Sequence, residues 1–344
     1  MSDIRLPTCI EQLPNEVFLE IFGYSHRDHV DLCRAWANLT FRLNSILRSA
    51  RSCLHVFSDG DLRWDSKYLQ EWAEIVVSFK DHRRTWGAWD ETYTKLQYID
   101  IRPFINLRRF SQMHEESGLL SQISPANFPR LECLHFSYYK ADSYSRILFD
   151  DPFPFLTSVS GVYLVRTLCE GTTTNNIIRR IVVTFDYEAN LFPLLISFIK
   201  RLPNLTTLRV DARKLEETAL PCKITTKIRT LSINANYDIN LDEIEFLLQI
   251  GPVKRFYLQI GTADYRNSGE KPFDFVRLAQ ILRSCQTLQH VELRVWLNHE
   301  GPDIEQIRAL SPWLATIDLE YMRYHDRYSL QTFQHRFDDK HIHF

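Results

Sequence analysis

Twelve histidines, seven cysteines and several adjacent carboxylate pairs are the side chains of this 344-residue chain that could do chemistry. His341-x-His343 and His26-x-x-His29 have the residue type of a metal site. Zinc sites add cysteine or carboxylate ligands at close spacing, and neither pair has them. No metal and no cofactor are therefore expected. Asp90-Glu91, Glu115-Glu116, Asp150-Asp151 and Glu216-Glu217 are each sequence neighbours. Neighbouring side chains leave a helix or strand in different directions, so such a pair does not converge on one substrate as acid and base. No GxSxG or HExxH motif is present. The chain has 10 glycines and neither GxGxxG nor GxxxxGK[ST], so it lacks the usual phosphate-cradling loops. The expectation is a protein without catalytic residues, not an enzyme.

Charge and cysteine usage narrow the setting. Lys and Arg number 41 against 43 Asp and Glu, a net charge of −2, which gives no electrostatic case for nucleic acid or a membrane surface. Local basic spots such as Arg179-Arg180 are small beside that balance. Cys9, Cys33, Cys53, Cys133, Cys169, Cys222 and Cys285 are scattered, with no CxxC. That usage fits free thiols in a reducing compartment, cytoplasmic or nuclear. The N-terminus has no apolar signal region. The longest apolar run, around 191–199, falls short of the roughly 20 residues a membrane span needs.

The elements that would position binding residues follow from a repeated phrase, apolar-x-x-apolar-x-apolar. Its copies are Leu96/Ile99/Ile101, Leu131/Leu134/Phe136, Ile178/Ile181/Val183, Leu205/Leu208/Val210, Ile228/Leu231/Ile233, Val253/Phe256/Leu258, Leu288/Val291/Leu293 and Leu314/Ile317/Leu319. A weaker copy is Leu156/Val159, with Gly161 in the last place. Pro stands two residues before the first apolar position in FPRLECLHF, FPFLTSVSG, LPNLTTLRV and SPWLATIDL. Middle positions recur at 23 to 27 residues in most neighbouring pairs. Helical patterns lie between the phrases. They are 191–202, a helix opened by an Asn240/Glu243 capping box and closed by Gly251-Pro252, one through Phe275–Leu282, and a shorter one through Ile304–Leu310. A strand followed by a helix at this period is the mark of a repeat solenoid.

Side chains alternate along a strand, so residues between and after the apolar positions face away from the helices. This outward set is His135, Ser137, Arg209, Asp211, Ser232, Asn234, Tyr257, Gln259, Glu292, Arg294, Trp296, Asp318 and Glu320. Arg209, Asp211, Tyr257, Gln259, Arg294 and Trp296 are the candidate binding residues. Tyr, Arg and Trp are the types that most often carry interface energy.

Upstream, Trp64, Trp72, Trp86 and Trp89 mark residues 51–94, where Ser66 is placed to cap a helix with Leu69, Trp72, Ile75, Val76 and Phe79 on one face. Residues 10–47 read as three short helices. Leu13-Pro14 begins the first, with Pro at the first helical position. Val17, Phe18, Ile21 and Phe22 line one side of it, and Gly23 stops it. Asp28 caps a second helix carrying Val30, Leu32, Cys33 and Trp36. Thr40 caps a third carrying Leu43, Ile46 and Leu47. So small a unit buries little apolar surface alone and is expected to complete its core against a partner.

Leu13, Pro14, Glu16, Val17, Ile21, Phe22 and Tyr24, then Asp28, Leu32, Leu39, Arg42 and Ile46, resemble the F-box motif. The repeat part resembles divergent leucine-rich repeats. The resemblance implies an α/β protein. A three-helix F-box module would precede a leucine-rich-repeat-like solenoid with parallel strands on its concave face and helices on its convex face. The implied divisions are a flexible lead at 1–9, the F-box at 10–50, a helical junction at 51–94, the repeat domain at 95–320 and a C-terminal cap at 321–344. It also implies a role as the non-catalytic substrate-recognition subunit of a Skp–cullin–F-box ubiquitin ligase. Leu13, Pro14, Val17, Ile21, Phe22, Leu32, Leu39, Leu43 and Ile46 would bind a Skp-type adaptor, which joins a cullin. The concave face would hold a protein substrate. The alternative is a repeat scaffold that no longer binds the adaptor, because Ser25 and Leu43 stand where the family usually has Leu and Trp.

Overall fold

The repeated phrase folds as a turn followed by a strand. The computed structural model describes residues 13–18, 54–58, 73–81, 100–112, 119–136, 144–184, 191–212, 224–235, 240–261, 273–297 and 303–321. The first apolar residue of the phrase closes a four-residue turn. Leu131 N–H donates to Phe128 O at 3.2 Å, Leu156 to Phe153 at 3.4 Å, Leu205 to Leu202 at 3.0 Å and Leu288 to Cys285 at 3.2 Å. Pro129, Pro154 and Pro203 hold the second place of their turns, where a fixed φ near −65° is already correct. The recurrent prolines therefore punctuate the entry to each strand. The chain divides into two compact units, residues 1–139 with 151–156 and residues 140–150 with 157–344.

The first unit carries β1 (Leu54–Ser58), β2 (Val76–Asp81), β3 (Arg109–Gln112) and β4 (Cys133–Phe136), adjacent in that order and parallel. This corrects the helical junction expected over 51–94 and its helix over 69–79. A single 3-10 turn, Ala73–Ile75, leads directly into β2. Val76 and Phe79 are both buried, which a spacing of three does not give in a regular strand; it follows from a register shift that pairs Leu54 with Val76 and Val56 with Phe79, so that one extra residue bulges from β2. The backbone is extended because Val76 and Val77 are β-branched, and because β1 and β3 satisfy its hydrogen bonds on both sides.

Of the strand expected at Leu96/Ile99/Ile101, Leu96 and Ile99 lie outside the described residues and Ile101 is not in a strand. Ile101 lies ahead of a turn, its N–H donating to Gln122 Oε1 at 2.9 Å. The strand falls instead on Leu107/Phe110/Gln112, a copy hidden because a glutamine fills the third apolar place. Gln112 is wholly buried there. Phe79 and Phe110 stack across β2 and β3 at 5.8 Å.

At the N-terminus, the helix begins at Asn15. Val17 and Phe18 N–H groups donate to Pro14 O at 3.1 and 3.4 Å, so Pro14 sits one place before the first helical residue rather than on it. The rest of the three-helix module lies outside the described residues.

The second unit alternates strands with helices. Its elements begin with a π-helical turn (Arg146–Asp150), β5 (Ser158–Tyr163), α1 (Arg166–Cys169), β6 (Arg180–Thr184), α2 (Leu191–Lys200) and β7 (Thr207–Ala212). They continue through β8 (Thr230–Ala235), α3 (Leu241–Gln249), β9 (Arg255–Gly261), α4 (Phe275–Ser284), β10 (His290–Leu297), α5 (Ile304–Leu310) and β11 (Asp318–Tyr321). Strands β5 to β11 lie side by side in chain order, each pairing parallel. This is a mixed, solenoid-like α/β fold. Ile181, Leu208, Leu231, Phe256 and Val291 stand in one register column, and Val183, Val210, Ile233, Leu258 and Leu293 in the next. Both columns are buried, so each repeat covers the apolar face of its neighbour.

Two copies depart from the frame. In β5, Val159 pairs with Ile181 but Val162 with Val183, so one extra residue bulges from the strand. Gly161, with φ 75°, sits in that bulge, and Val162 takes the buried place the phrase had given to Gly161. In β11, Leu319 pairs with Val295 rather than Leu293. A two-residue offset preserves the alternation of faces, so the phrase alone does not reveal it.

Side chains cap the helices. Asn240 Oδ1 accepts from Asp242 N–H at 2.9 Å, Asp274 Oδ1 from Arg277 N–H at 2.8 Å and Asp303 Oδ1 from Glu305 N–H at 3.0 Å. Asn240 thus caps α3 as expected. Glu243, the other half of the expected capping box, is buried. Arg277 of α4 pairs with Glu245 and Asp242 of α3 at 2.5 and 3.0 Å, and Arg283 of α4 donates to Leu310 O of α5. Among the described residues no helix is long and apolar enough to cross a membrane. The expected C-terminal cap, beyond Tyr321, lies outside the described residues.

Candidate functional site

Alternation along β7 leaves Leu208, Val210 and Ala212 buried while Thr207, Arg209 and Asp211 remain half-buried on the opposite face. The same period holds in β8, and parallel register then aligns these open-face residues across strands. One column runs Val182, Arg209, Ser232, Tyr257, Glu292. The next runs Thr184, Asp211, Asn234, Gln259, Arg294, Asp318. Residues from sites more than 20 positions apart in sequence thus form two adjacent polar rows.

Ion pairs and a ring contact fix several of these side chains. Arg209 Nε and Asp211 Oδ1 are 2.9 Å apart within one strand, and Arg294 Nε lies 2.9 Å from Asp318 Oδ2 across β10 and β11. The Tyr257 ring lies 5.5 Å from the His290 ring. Asn234 Oδ1 is buried between the Asp211 and Gln259 positions and accepts no hydrogen bond among the described residues. Such an acceptor calls for a donor from water or a bound group.

Of the candidate binding residues, Arg209, Asp211, Tyr257, Gln259 and Arg294 all stand in these rows. The backbone of Trp296 continues β10 opposite Glu320. Val182 and Thr184 belong to the same rows and were absent from the outward set, although alternation from Ile181 already marks them. Of the candidate adaptor residues, Leu13 and Val17 are half-buried, Pro14 is exposed, and their neighbour Phe18 is buried. Ile21, Phe22, Leu32, Leu39, Leu43 and Ile46 lie outside the described residues.

A second polar cluster is structural in character. Arg201 is 6 % exposed, and its guanidinium lies 3.4 Å over the Phe149 ring and donates to Leu168 O at 2.5 Å and Thr173 O at 2.8 Å. Burial pushes this guanidinium down from its usual value. Burial also pushes the neighbouring Cys169 thiol up to about 12, so it is not a nucleophile at neutral pH. Among the described residues no group of three or more His, Cys, Asp or Glu could hold a metal ion.

No protein-family model matches the chain, and no curated protein matches it in sequence.

Proposed function

We propose that this protein is the substrate-recognition subunit of a Skp–cullin–F-box ubiquitin ligase. The observation that carries the reading is the LPxEVxxxIFxY run at Leu13–Tyr24, placed ahead of a parallel repeat sheet with an open polar face. Leu13, Pro14, Val17, Ile21 and Phe22 contact the adaptor in this reading, with Leu32, Leu39, Leu43 and Ile46 completing the surface. A helix that starts just after Pro14, with Val17 still partly accessible, suits that use. The polar rows around Asp211, Asn234 and Gln259 bind a protein substrate. The protein does no bond chemistry; it raises the effective concentration of substrate near the ubiquitin-carrying enzyme.

Co-expression with a Skp-type adaptor, followed by size-exclusion chromatography, tests this. The wild type co-elutes with the adaptor, and Leu13→Ala with Pro14→Ala abolishes co-elution while remaining soluble. A soluble wild type that elutes alone overturns the reading. Ser25 and Leu43 favour the second reading in that event, a repeat scaffold without adaptor binding.

A further inference from the structure

The repeat register gathers cations that the sequence scatters. Between the first and middle apolar positions of the phrase lie Arg179-Arg180 at the start of β6, Arg229 just before β8 and Lys254-Arg255 at the start of β9. Lys227 precedes Ile228 in the same approach to β8. All six side chains are exposed, and none has a carboxylate partner among the described residues. The approaches to β6, β7, β8, β9 and β10 are residues 171–180, 201–207, 224–230, 250–255 and 284–289. They contain no Asp or Glu and no Phe, Tyr or Trp; the one ring at the same level is His290, which pairs with Arg255 and lies against Tyr257. One edge of the sheet, where these strands begin, is therefore a basic stripe. The carboxylates of the polar rows, Asp211, Glu292 and Asp318, lie farther along the strands.

The stripe is held by backbone bonds between repeats. Arg229 O accepts from the N–H groups of Lys254 at 2.8 Å and Arg255 at 3.0 Å, and Arg179 O accepts from Thr206 and Thr207 at 2.8 and 3.0 Å. Lys227 Nζ donates to Asn204 Oδ1 at 2.7 Å. The cations are thus carried on a fixed ladder, which lowers the ordering cost of binding. The cations stand on the approaches to β6, β8 and β9, and at about 4.8 Å per strand the three steps from β6 to β9 span roughly 14 Å, the length of about four residues of extended peptide.

We infer that this edge is a docking surface for a carboxylate-rich segment of a protein partner. An acidic peptide needs cations at strand spacing and nothing to stack upon. A single-stranded nucleic acid needs aromatic platforms for its bases, and the five approaches supply none. The inference rests on the register of the second unit and not on adaptor binding, so it stands if the adaptor reading fails.

Fluorescence anisotropy of the full chain with a labelled deca-glutamate peptide tests it. A Gly-Ser decapeptide and single-stranded and duplex oligonucleotides are the comparison ligands. The glutamate peptide binds at 50 mM salt and the Gly-Ser peptide does not. Raising salt to 300 mM weakens binding about tenfold or more, because the pairs are solvent-exposed. Lys254→Ser with Arg255→Ser weakens it at least fivefold, as does Arg179→Ser with Arg180→Ser. Arg166→Ser with Lys200→Ser removes the same charge elsewhere and changes it less than twofold. Circular dichroism confirms folding of each variant, and the two stripe pairs are independent if one misfolds. Absence of binding, equal loss in the control pair, or tighter binding of either oligonucleotide overturns the inference.

Discussion

At Gly251 the repeats approach so closely that a Cβ would lie 2.7 Å from Thr226 Oγ1 and 3.0 Å from Ile228 O. A backbone oxygen cannot rotate away. Gly251→Ala is therefore expected to lower stability by about 1–3 kcal/mol, read as a fall in the urea midpoint at unchanged slope. Gly161 is sensitive for a different reason. Its φ of 75° is a conformation an L side chain adopts at a cost of about 1–2 kcal/mol, so Gly161→Ala should show a loss of that size. Cys169 is 5 % exposed with its thiol pushed up to about 12. Pulse alkylation at pH 8 followed by peptide mass spectrometry should leave Cys169 unmodified in the native protein and modify it in urea. Native labelling would show that the α1–Arg201 cluster opens. The sequence names Gly161 and Gly251 as glycines but assigns the first to the core and the second to a helix stop. Only the packed repeats show that one accommodates a bulge and the other a neighbouring turn.

Each strand of the second unit has two faces with different tolerances. Ile233 is wholly buried in β8, and its neighbour Ser232 is half-buried on the open face. Ile233→Ala is expected to cost about 2–5 kcal/mol by removing buried methyl groups and leaving a cavity. Ser232→Ala should stay within about 0.5 kcal/mol. Chemical denaturation of both variants checks the assignment, and comparable losses would mean that Ser232 is not on the open face. Arg201 follows α2 and joins it to α1 and to the segment at Thr173 through its two carbonyl bonds. Its replacement by Ala should cost about 1.5–3 kcal/mol, the range for hydrogen bonds to a charged group. These elements were legible to different degrees. The helices at Leu191–Lys200, Phe275–Ser284 and Ile304–Leu310 follow from apolar spacing of three and four. The same spacing misassigns Val76–Asp81. Val76 and Phe79 fit one face of a helix, and the choice of strand comes from pairing partners far away in sequence.

For the whole chain, the F-box-like run and the basic edge belong to different compact units and should fail independently. Lys254→Ser with Arg255→Ser should leave adaptor co-elution intact. Leu13→Ala with Pro14→Ala should leave glutamate-peptide affinity within twofold. Loss of both properties in either variant would mean that the two surfaces are one. What the sequence determined by itself is the local repeat: the strand phrases from Ile178 to Leu293, the prolines at their turns, and the alternation that sends Arg209, Asp211, Tyr257, Gln259 and Arg294 to the open face. Those features depend on side-chain period and proline geometry, which are properties of a few consecutive residues. The tertiary structure decided which strands become neighbours and in what register. It added β1 and β2 to the first unit, shifted β11 by two residues against β10, and buried Gln112 beside the Phe136 position. It also made one basic edge of Arg179, Arg180, Lys227, Arg229, Lys254 and Arg255. Parallel pairing superposes equivalent positions of successive repeats, so charges too sparse to matter along the chain come to stand about one or two strand spacings apart across the sheet.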